Sequence, residues 1–540
     1  MVITVLFFMI PTWLNFMASW KQSRCKIYQR AIATLLLTIS IWWGMSPHLV
    51  WARENPISPN LLSRASNIQP YLDRVIRQVT EFRLNNGMKF IVLERPRAPV
   101  VSFYIYADVG GVNEPDGQTG VAHYLEHLAF KGTPKIGTKN YQAEKPLLAK
   151  EDQLFDQIQA AKTQGKTEEV ANLKKQFEQI ETEASQYVKQ NEFGKIIEQA
   201  GGVGLNATTS ADSTFYYYSF PANKLELWMS LESSRFLNPV FREFYKEKQV
   251  ILEERRMRTE NSPIGQMIEA FLEKAFSVHP YHRPVIGYTQ DIAQITRKNV
   301  EDFFKTYYVP SNLTAIVVGD VKPEEVKRLA EIYFGRYPKQ PKPPQLNTVE
   351  PPQTQPKEVT LTLQSQPWYL EGYHRPPMNH PDNVVYELLV SILSDGRTSR
   401  LYKSLVEEQE VALVAEGSNG YPGEKYPNVL LFYAMNAPNH TVDELAIALN
   451  KEIERIKKEP VSQQELDRVK TQARAALLRA LNSNMGMAQL LAEYDVKTGS
   501  WKNLFTELEA IDAVTAADIQ RVANTTLKPE NRTVGKLLSK

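Results

Sequence analysis

Cysteine is almost absent: Cys25 is the one such residue among 540. It lies in an N-terminal stretch expected to be removed. The mature chain then has no disulfide, no thiol nucleophile and no thiolate metal site, a state compatible with an oxidising exported compartment. A surplus of charge is missing too. With 63 basic and 61 acidic residues the formal net charge is +2, which gives no basic nucleic-acid-binding tail and no polybasic membrane patch. Nor is there a G-x-x-x-x-G-K-[ST] loop, or a G-x-G-x-x-G after a strand, so phosphate and dinucleotide chemistry is not indicated. No nucleic-acid partner is expected.

What the N-terminus does carry reads as an export signal. "KQSRCKIYQR" (residues 21–30) is a basic n-region, and "AIATLLLTISIWWGM" (residues 31–45) is an apolar h-region. "LVWA" ends on Ala52 with Val50 two before it, as signal peptidase prefers. Residues 1–52 read as a signal peptide cleaved after Ala52. The alternative is an uncleaved membrane anchor, because residues 2–20 are apolar as well; that earlier segment also reads as upstream sequence with Met17 as the true start. Cleavage removes Lys21, Arg24, Lys26 and Arg30 and no acid, which leaves 59 basic against 61 acidic residues, net −2. The expected location is the periplasm, either free or anchored facing it.

The chain is too long for one compact core. Residues 82–100 read as strand, turn, strand around "NNG", and residues 100–111 as a buried strand ending in glycines. "DSTFYYYSF" (residues 212–220) and "LTAIVVGDV" (residues 313–321) are further strands. A Pro-rich stretch, residues 336–358, is an interdomain linker whose stiffness would hold two domains apart. The two sides of it look related. Thr296 precedes Pro310 by fourteen residues, Thr515 precedes Pro529 by fourteen, and both run Pro-x-Asn into a final strand. This points to internal duplication. The expected fold is α+β: two homologous α/β-sandwich halves, residues 79–335 and 359–540, after an N-terminal segment of residues 53–78. One segment breaks the pattern. Residues 151–190 are rich in Gln, Glu and Lys, with Val170, Leu173, Phe177 and Ile180 at helical spacing and "TQGKT" as a break. They read as a helical hairpin projecting from the first half, in an insertion of about 145–190.

Chemistry concentrates in "TGVAHYLEHLAFKGT" (residues 119–133). On a helix His123 and His127 are one turn apart on one face, so both imidazoles can reach one ion at roughly 2.0–2.1 Å. Glu126 flanks that ion without needing to bind it, as suits a base acting on metal-bound water. The order H-x-x-E-H inverts the common zincin motif. Alone it does not separate a metal site from two surface histidines; a third ligand would. In "EFYKEKQVILEERRMRTEN" (residues 243–261) Glu247 and Glu254 are seven apart and share a helical face. Val250 and Ile251 lie between them on that stripe, which would point the acids inward, where a carboxylate needs a cation or a proton. Glu253 is about 100° round and faces solvent. Helical phase thus prefers Glu254 as ligand and Glu247 behind it, against the alternative of a charged surface helix. His279 and His282 in "HPYH" form a second pair, in a loop beside prolines that does not suit metal binding.

"HYLEHLAFKGT", "GGVGLNATTSADSTFYYY", "EKQVILEE" and "HPYHRPVIG" occur in the order found in the pitrilysin/insulinase family of zinc metallopeptidases. The chain resembles that family over most of residues 80–540, on the side of its bacterial, mitochondrial-processing-peptidase-like branch. The resemblance implies one zinc ion per chain on His123, His127 and Glu254, with Glu126 as catalytic base and Glu247 as the family's second catalytic acid. It implies that Asn206 and Ala207 bind an extended peptide by strand addition, with Gly201, Gly202 and Gly204 permitting close approach. The gap from motif to third ligand exceeds the family's, and the helical insertion accounts for most of the excess. The family's second half usually supplies an arginine and, seven residues later, a tyrosine that hold substrate. Here those positions align with Val406 and Leu413, while Arg400 and Tyr402 nearby have the wrong order and spacing. The expected function is that of an exported zinc endopeptidase for short or unfolded peptides. It would act in a heterodimer with a homologous subunit that brings the missing pair, or as a homodimer. The alternative is a non-catalytic subunit of a heteromeric assembly that kept the fold.

Overall fold

β-Branched and aromatic residues with alternating burial build two sheets in the computed structural model, which describes residues 69–540. The expected leader and its cleavage point fall outside the described residues. A helix, Gln69–Gln78, precedes the first sheet and buries Leu72 and Val75. That sheet runs β1-β2-β6-β3-β5-β4, with β1 Val79–Arg83, β2 Lys89–Glu94, β3 Val100–Ala107, β4 Val203–Thr209, β5 Thr214–Pro221 and β6 Leu313–Gly319. The second runs β7-β11-β8-β10-β9, with β7 Lys357–Leu363, β8 Trp368–Arg375, β9 Ala412–Tyr421, β10 Asn428–Asn436 and β11 Arg532–Ser539. Apart from the added β1, the orders match strand for strand. In each sheet the last strand of the half pairs parallel with one neighbour and antiparallel with the other. The approach to that strand is the same in both. Thr296 and Thr515 each cap a helix by accepting from the third residue's amide, while the side chains of Asn299 and Asp518 reach back to the cap amides. Each helix then passes through a short Pro-x-Asn turn into β6 or β11.

Both faces of both sheets are apolar. In β3, Val101, Phe103, Ile105 and Ala107 face the first half's own helices, whereas Tyr104 and Tyr106 face the other way. That second face is covered by helix Asn484–Thr498 of the second half, which lies on β3 and β6. The exchange is reciprocal. Helix Pro263–Ala275 of the first half lies on β7 and β11, where Met267 and Phe271 meet Leu370, Leu431 and Leu537. The approach is so close that a Cβ at Gly372 would sit 2.6 Å from the Phe271 ring. An ion pair between the buried Lys89 and Asp495 ties the halves as well: Lys89 Nζ is 2.6 Å from Asp495 and 3.0 Å from the exposed Glu81.

Two expectations are corrected here. The linker does not hold the halves apart. A sheet with two apolar faces must have both covered, so the halves pack together, and the linker straps their outside. Glu350 accepts the amides of Ser277, Val278 and His279, and Gln353 donates to Arg532 O. Nor is the insertion merely a projection. It forms two antiparallel helices, Tyr141–Thr163 and Thr167–Ser185, and the first begins ten residues before Glu151, capped by Asn140. Its inner side is fastened to the body by Glu144 to Arg242, and by Glu151 and Asp152 to Arg297. Phe155 and Phe177 pack on Tyr245.

Phe271→Ala is expected to lower the unfolding free energy by about 3–5 kcal/mol, measured by urea denaturation, because it opens a cavity where each half depends on the other.

Candidate metal centre

The motif helix spans Val121–Leu128. Its entry is set by Gly120 at φ 89° and by the buried Glu114, whose carboxylate accepts the amides of Gly120 and Ala122 at 2.9 Å each. Two otherwise orphaned helix N-terminal donors are thereby satisfied. Burial outweighs those bonds and pushes the Glu114 carboxyl up to about 8. Tyr124 stacks on Phe244 and donates its hydroxyl to Phe244 O, which joins the motif helix to a second helix, Phe244–Arg255.

That second helix presents Glu247 and Glu254, though from the edge of its buried stripe and not the middle. The buried side is Phe244, Tyr245, Lys248, Ile251 and Arg255. At about 100° per residue, the two acids flank this stripe on one side and face the histidines. Val250 lies farther round and is 47% exposed. The expectation that Val250 shares an inward stripe with Ile251 is therefore corrected. Glu253 is solvent-facing and pairs with Arg256. Behind the helix, Lys248 Nζ donates to Ile295 O at 2.6 Å and lies 4.1 Å from the Phe155 ring centre. Burial there lowers its value to about 7.

His123, His127 and Glu254 converge. Glu254 Oε2 is 3.5 Å from His127 Nε2 and 3.9 Å from His123 Nε2. Among the described residues this is the one group whose donor atoms could hold a metal, all within 4.8 Å of one another. An ion at 2.0–2.1 Å from each would need tetrahedral donors about 3.3 Å apart, so small side-chain adjustments close the set. Two imidazoles and one carboxylate are a donor type found in catalytic zinc sites, which keep one position open. The residues present fit zinc. His123 Nδ1, buried and with no hydrogen-bond partner in the protein, leaves that ring free to turn to its ligand position.

The surrounding groups orient this set. Glu247 Oε1 is 2.9 Å from His127 Nδ1, while its Oε2 is 2.6 Å from Lys131 Nζ. Burial works against the Glu247 charge, yet these two bonds hold the carboxyl below its usual range. Glu254 Oε1 is 2.8 Å from Arg258, which leaves Oε2 for the histidines. Arg258 sits on a π-helical turn, Arg256–Glu260. Glu126 stands beside the set, and its Oε2 accepts from Thr209 Oγ1 at 2.6 Å. Burial raises its value despite that bond. Next to Glu126 and His127 opens a pocket of about 350 Å³ whose walls include Phe130, Lys131, Gln190 and Glu243.

Asn206 and Ala207 lie on β4, the edge of the first sheet, with β5 on one side and, among the described residues, no strand on the other. Asn206 is exposed and Ala207 buried. Leu413 is 48% exposed on β9, Val406 is half-buried in a π-helical turn, and Arg400 is committed to Glu465. His279 and His282 stay out of the metal group. His279 Nδ1 accepts from the Tyr281 amide, and burial lowers its value to about 4. Thr209, Lys131, Arg258 and Glu114 are site residues beyond those expected from the sequence. Arg258 follows Glu254 by four residues and pairs with it, a spacing that could have flagged it, whereas Lys131 reaches Glu247 on the second helix. Thr209 had no such signal.

Burial disfavours a charge on His127, but Glu247, Glu126 and Glu254 raise its value above the usual 6.5. A ligand imidazole must be neutral, so proton and metal compete. Because the shift is upward, Zn2+ affinity is expected to start falling above pH 6.5 and to drop about tenfold per unit below that onset. Glu247→Gln should move the onset to lower pH and weaken binding about 10–100-fold. Chelator competition across the pH range measures both.

Comparison with known proteins agrees with this geometry. The insulinase (peptidase family M16) model matches residues 89–149 and 176–289, and the gap between them falls within the helical pair. The peptidase M16 inactive domain model matches residues 294–473. Zinc protease PqqE of Helicobacter pylori is 29% identical over 455 residues, 81% of this chain and 88% of that protein. A probable mitochondrial-processing peptidase subunit beta of Arabidopsis thaliana is 23% identical over 82% of this chain and 75% of its own length. The crystal structure of a protease from Helicobacter pylori matches with a TM-score of 0.72 at 28% identity, covering 85% of this chain and 99% of that one. An M16 inactive-domain structure from Pseudomonas fluorescens shares the fold with a TM-score of 0.69 at 15% identity. The chain belongs to the insulinase family of zinc proteases, peptidase family M16.

Proposed function

We propose that this chain is an exported zinc endopeptidase for short or unfolded peptides, with one zinc ion on His123, His127 and Glu254 and with Glu126 as the base. The observation that carries the reading is the convergence of three donor atoms beside a fourth group, Glu126, that is held by Thr209 and is not one of the donors. The zinc-protease relatives support the choice of metal.

When bound, zinc polarises the scissile carbonyl and lowers the pKa of water. The protein's own groups do the rest. Thr209 occupies Glu126 Oε2, so Oε1 receives the proton of the attacking water and returns it to the leaving amine. Its raised proton affinity suits a group that must do both. Glu247 keeps the His127 ring turned so that Nε2 faces the donor set. The free edge of β4 favours an extended peptide, which would pair with the backbone at Asn206 and Ala207. A short or unfolded peptide offers such a strand most readily, and this supports that class of substrate.

The apolar Val406 and Leu413 supply no polar hold on substrate. We therefore read the working form as a heterodimer in which a homologous subunit brings an arginine and a tyrosine, or failing that as a homodimer. The same two residues favour the second reading, a non-catalytic subunit of an assembly. His123→Ala and Glu254→Gln are expected to abolish binding of one zinc per chain. Glu126→Gln should keep the zinc and lower kcat by about 10²–10⁴-fold. If wild type and Glu126→Gln are equally inert, with and without co-purifying protein, the non-catalytic reading replaces the first. Native protein recovered from the periplasm should begin at Arg53 and bring down a homologous subunit. Recovery from the cytoplasm, or alone and fully active, would remove export or the heterodimer respectively.

A further inference from the structure

The second half contributes no ligand, but one of its loops docks close to the proposed base. Residues 422–427 join β9 to β10, and the middle of this loop rests on the β4–β5 turn of the first half, residues 210–213. The contact centres on one buried carboxylate. Asp212 is 3% exposed. Its Oδ2 accepts from the Tyr281 hydroxyl at 2.7 Å and from the amides of Glu424 and Lys425 at 2.9 and 2.8 Å. Gly423 allows this approach, since a Cβ there would lie 2.5 Å from Asp212 Oδ2 and 2.6 Å from the Tyr281 hydroxyl. Charges fasten the loop at both sides: Lys425 pairs with Asp108 of the first half, and Glu424 with Lys497 of the second.

The turn is also held from below. Gly111 N donates to Ser210 O and Val112 N to Ala211 O. It starts one residue after Thr209, the residue that bonds Glu126. We propose that Asp212 is a positioning residue for Glu126: by seating the second half's loop it fixes the turn, the turn fixes Thr209, and Thr209 fixes the carboxylate. This rests on the reading of Glu126 as the base. The second half would then serve the reaction within its own chain without touching metal or substrate. A displacement of about 1 Å in such a chain of contacts can cost on the order of a hundredfold in rate. Asp212→Ala would provide the displacement by leaving two amides and a hydroxyl buried without their acceptor.

The test is a double-mutant cycle on the full-length, zinc-loaded protein, together with whatever subunit co-purifies, using an unstructured fluorogenic peptide. Thr209→Val and Asp212→Ala should each lower kcat by about ten- to a hundredfold, with KM and zinc content unchanged. The double variant should be no more than about twofold worse than the poorer single one. Asp212→Asn keeps an acceptor for the amides and should restore most of the loss. Gly423→Ala pushes the loop off from the other side and should repeat the Asp212→Ala result, which covers the case of an unfolded Asp212→Ala. Independently of activity, amide hydrogen exchange over residues 209–213 should rise in Asp212→Ala and Gly423→Ala and stay unchanged in Thr209→Val. Multiplying losses, loss of zinc, or unchanged exchange would each overturn the proposal. An active Glu126→Gln would instead overturn the assignment of the base.

Discussion

Each sheet in this protein has two apolar faces, and each half carries enough helices of its own to cover one. Everything else in the architecture follows from how the remaining face is covered. The second half lends helix Asn484–Thr498 to the first sheet, and the first half lends Pro263–Ala275 to the second. The exchange ties the halves through their cores and leaves the Pro-rich segment little to do as a spacer. It also frees the opposite face of the first sheet for the first half's own helices. There the motif helix and its carboxylate partner meet on a base that the other half has already stiffened from behind.

At the candidate metal centre one pattern recurs. Glu254 gives one oxygen to Arg258 and turns the other to the histidines. Glu247 divides itself between Lys131 and His127, and Glu126 has one oxygen taken by Thr209. Such division fixes the rotation of each carboxylate, so each presents a single lone-pair direction to the chemistry. It also offsets much of the desolvation that several acids in one half-buried place would suffer. Arg258 and Lys131 do this with charge, whereas Thr209 does it with a neutral hydroxyl. Glu126 keeps a raised proton affinity and Glu247 a lowered one, a difference that fits the proposed roles of proton carrier and permanent anion.

The helical pair between the motif and Glu254 lengthens the chain without disturbing the site, because it grips the outer side of the carboxylate helix. Tyr245 is held by Phe155, Phe177 and Asp152, and Lys248 lies against Phe155. Glu247 sits between these two anchored residues. An addition placed there braces the element that carries two of the acids, while its own polar surface faces solvent.

Periodicity within the sequence was enough to set out β1, β2, β3, β5 and β6 of the first half, though not β7 to β10 of the second, and it also marked the duplicated helix-turn-strand ends at Thr296 and Thr515 and the shared face of His123 and His127. These depend on neighbours within a few residues, where backbone geometry leaves few choices. It was also enough to separate Glu254 from Glu253 by helical phase. Phase alone could not say where the buried stripe of that helix is centred, and so it put Val250 on the wrong side. Only the folded chain could bring Thr209 to Glu126 across 83 residues, seat Asp212 on Glu424 and Lys425 across more than two hundred, or choose which half covers which sheet. Those contacts depend on how whole elements are oriented by packing, and the residues that make them carry no local pattern to announce it.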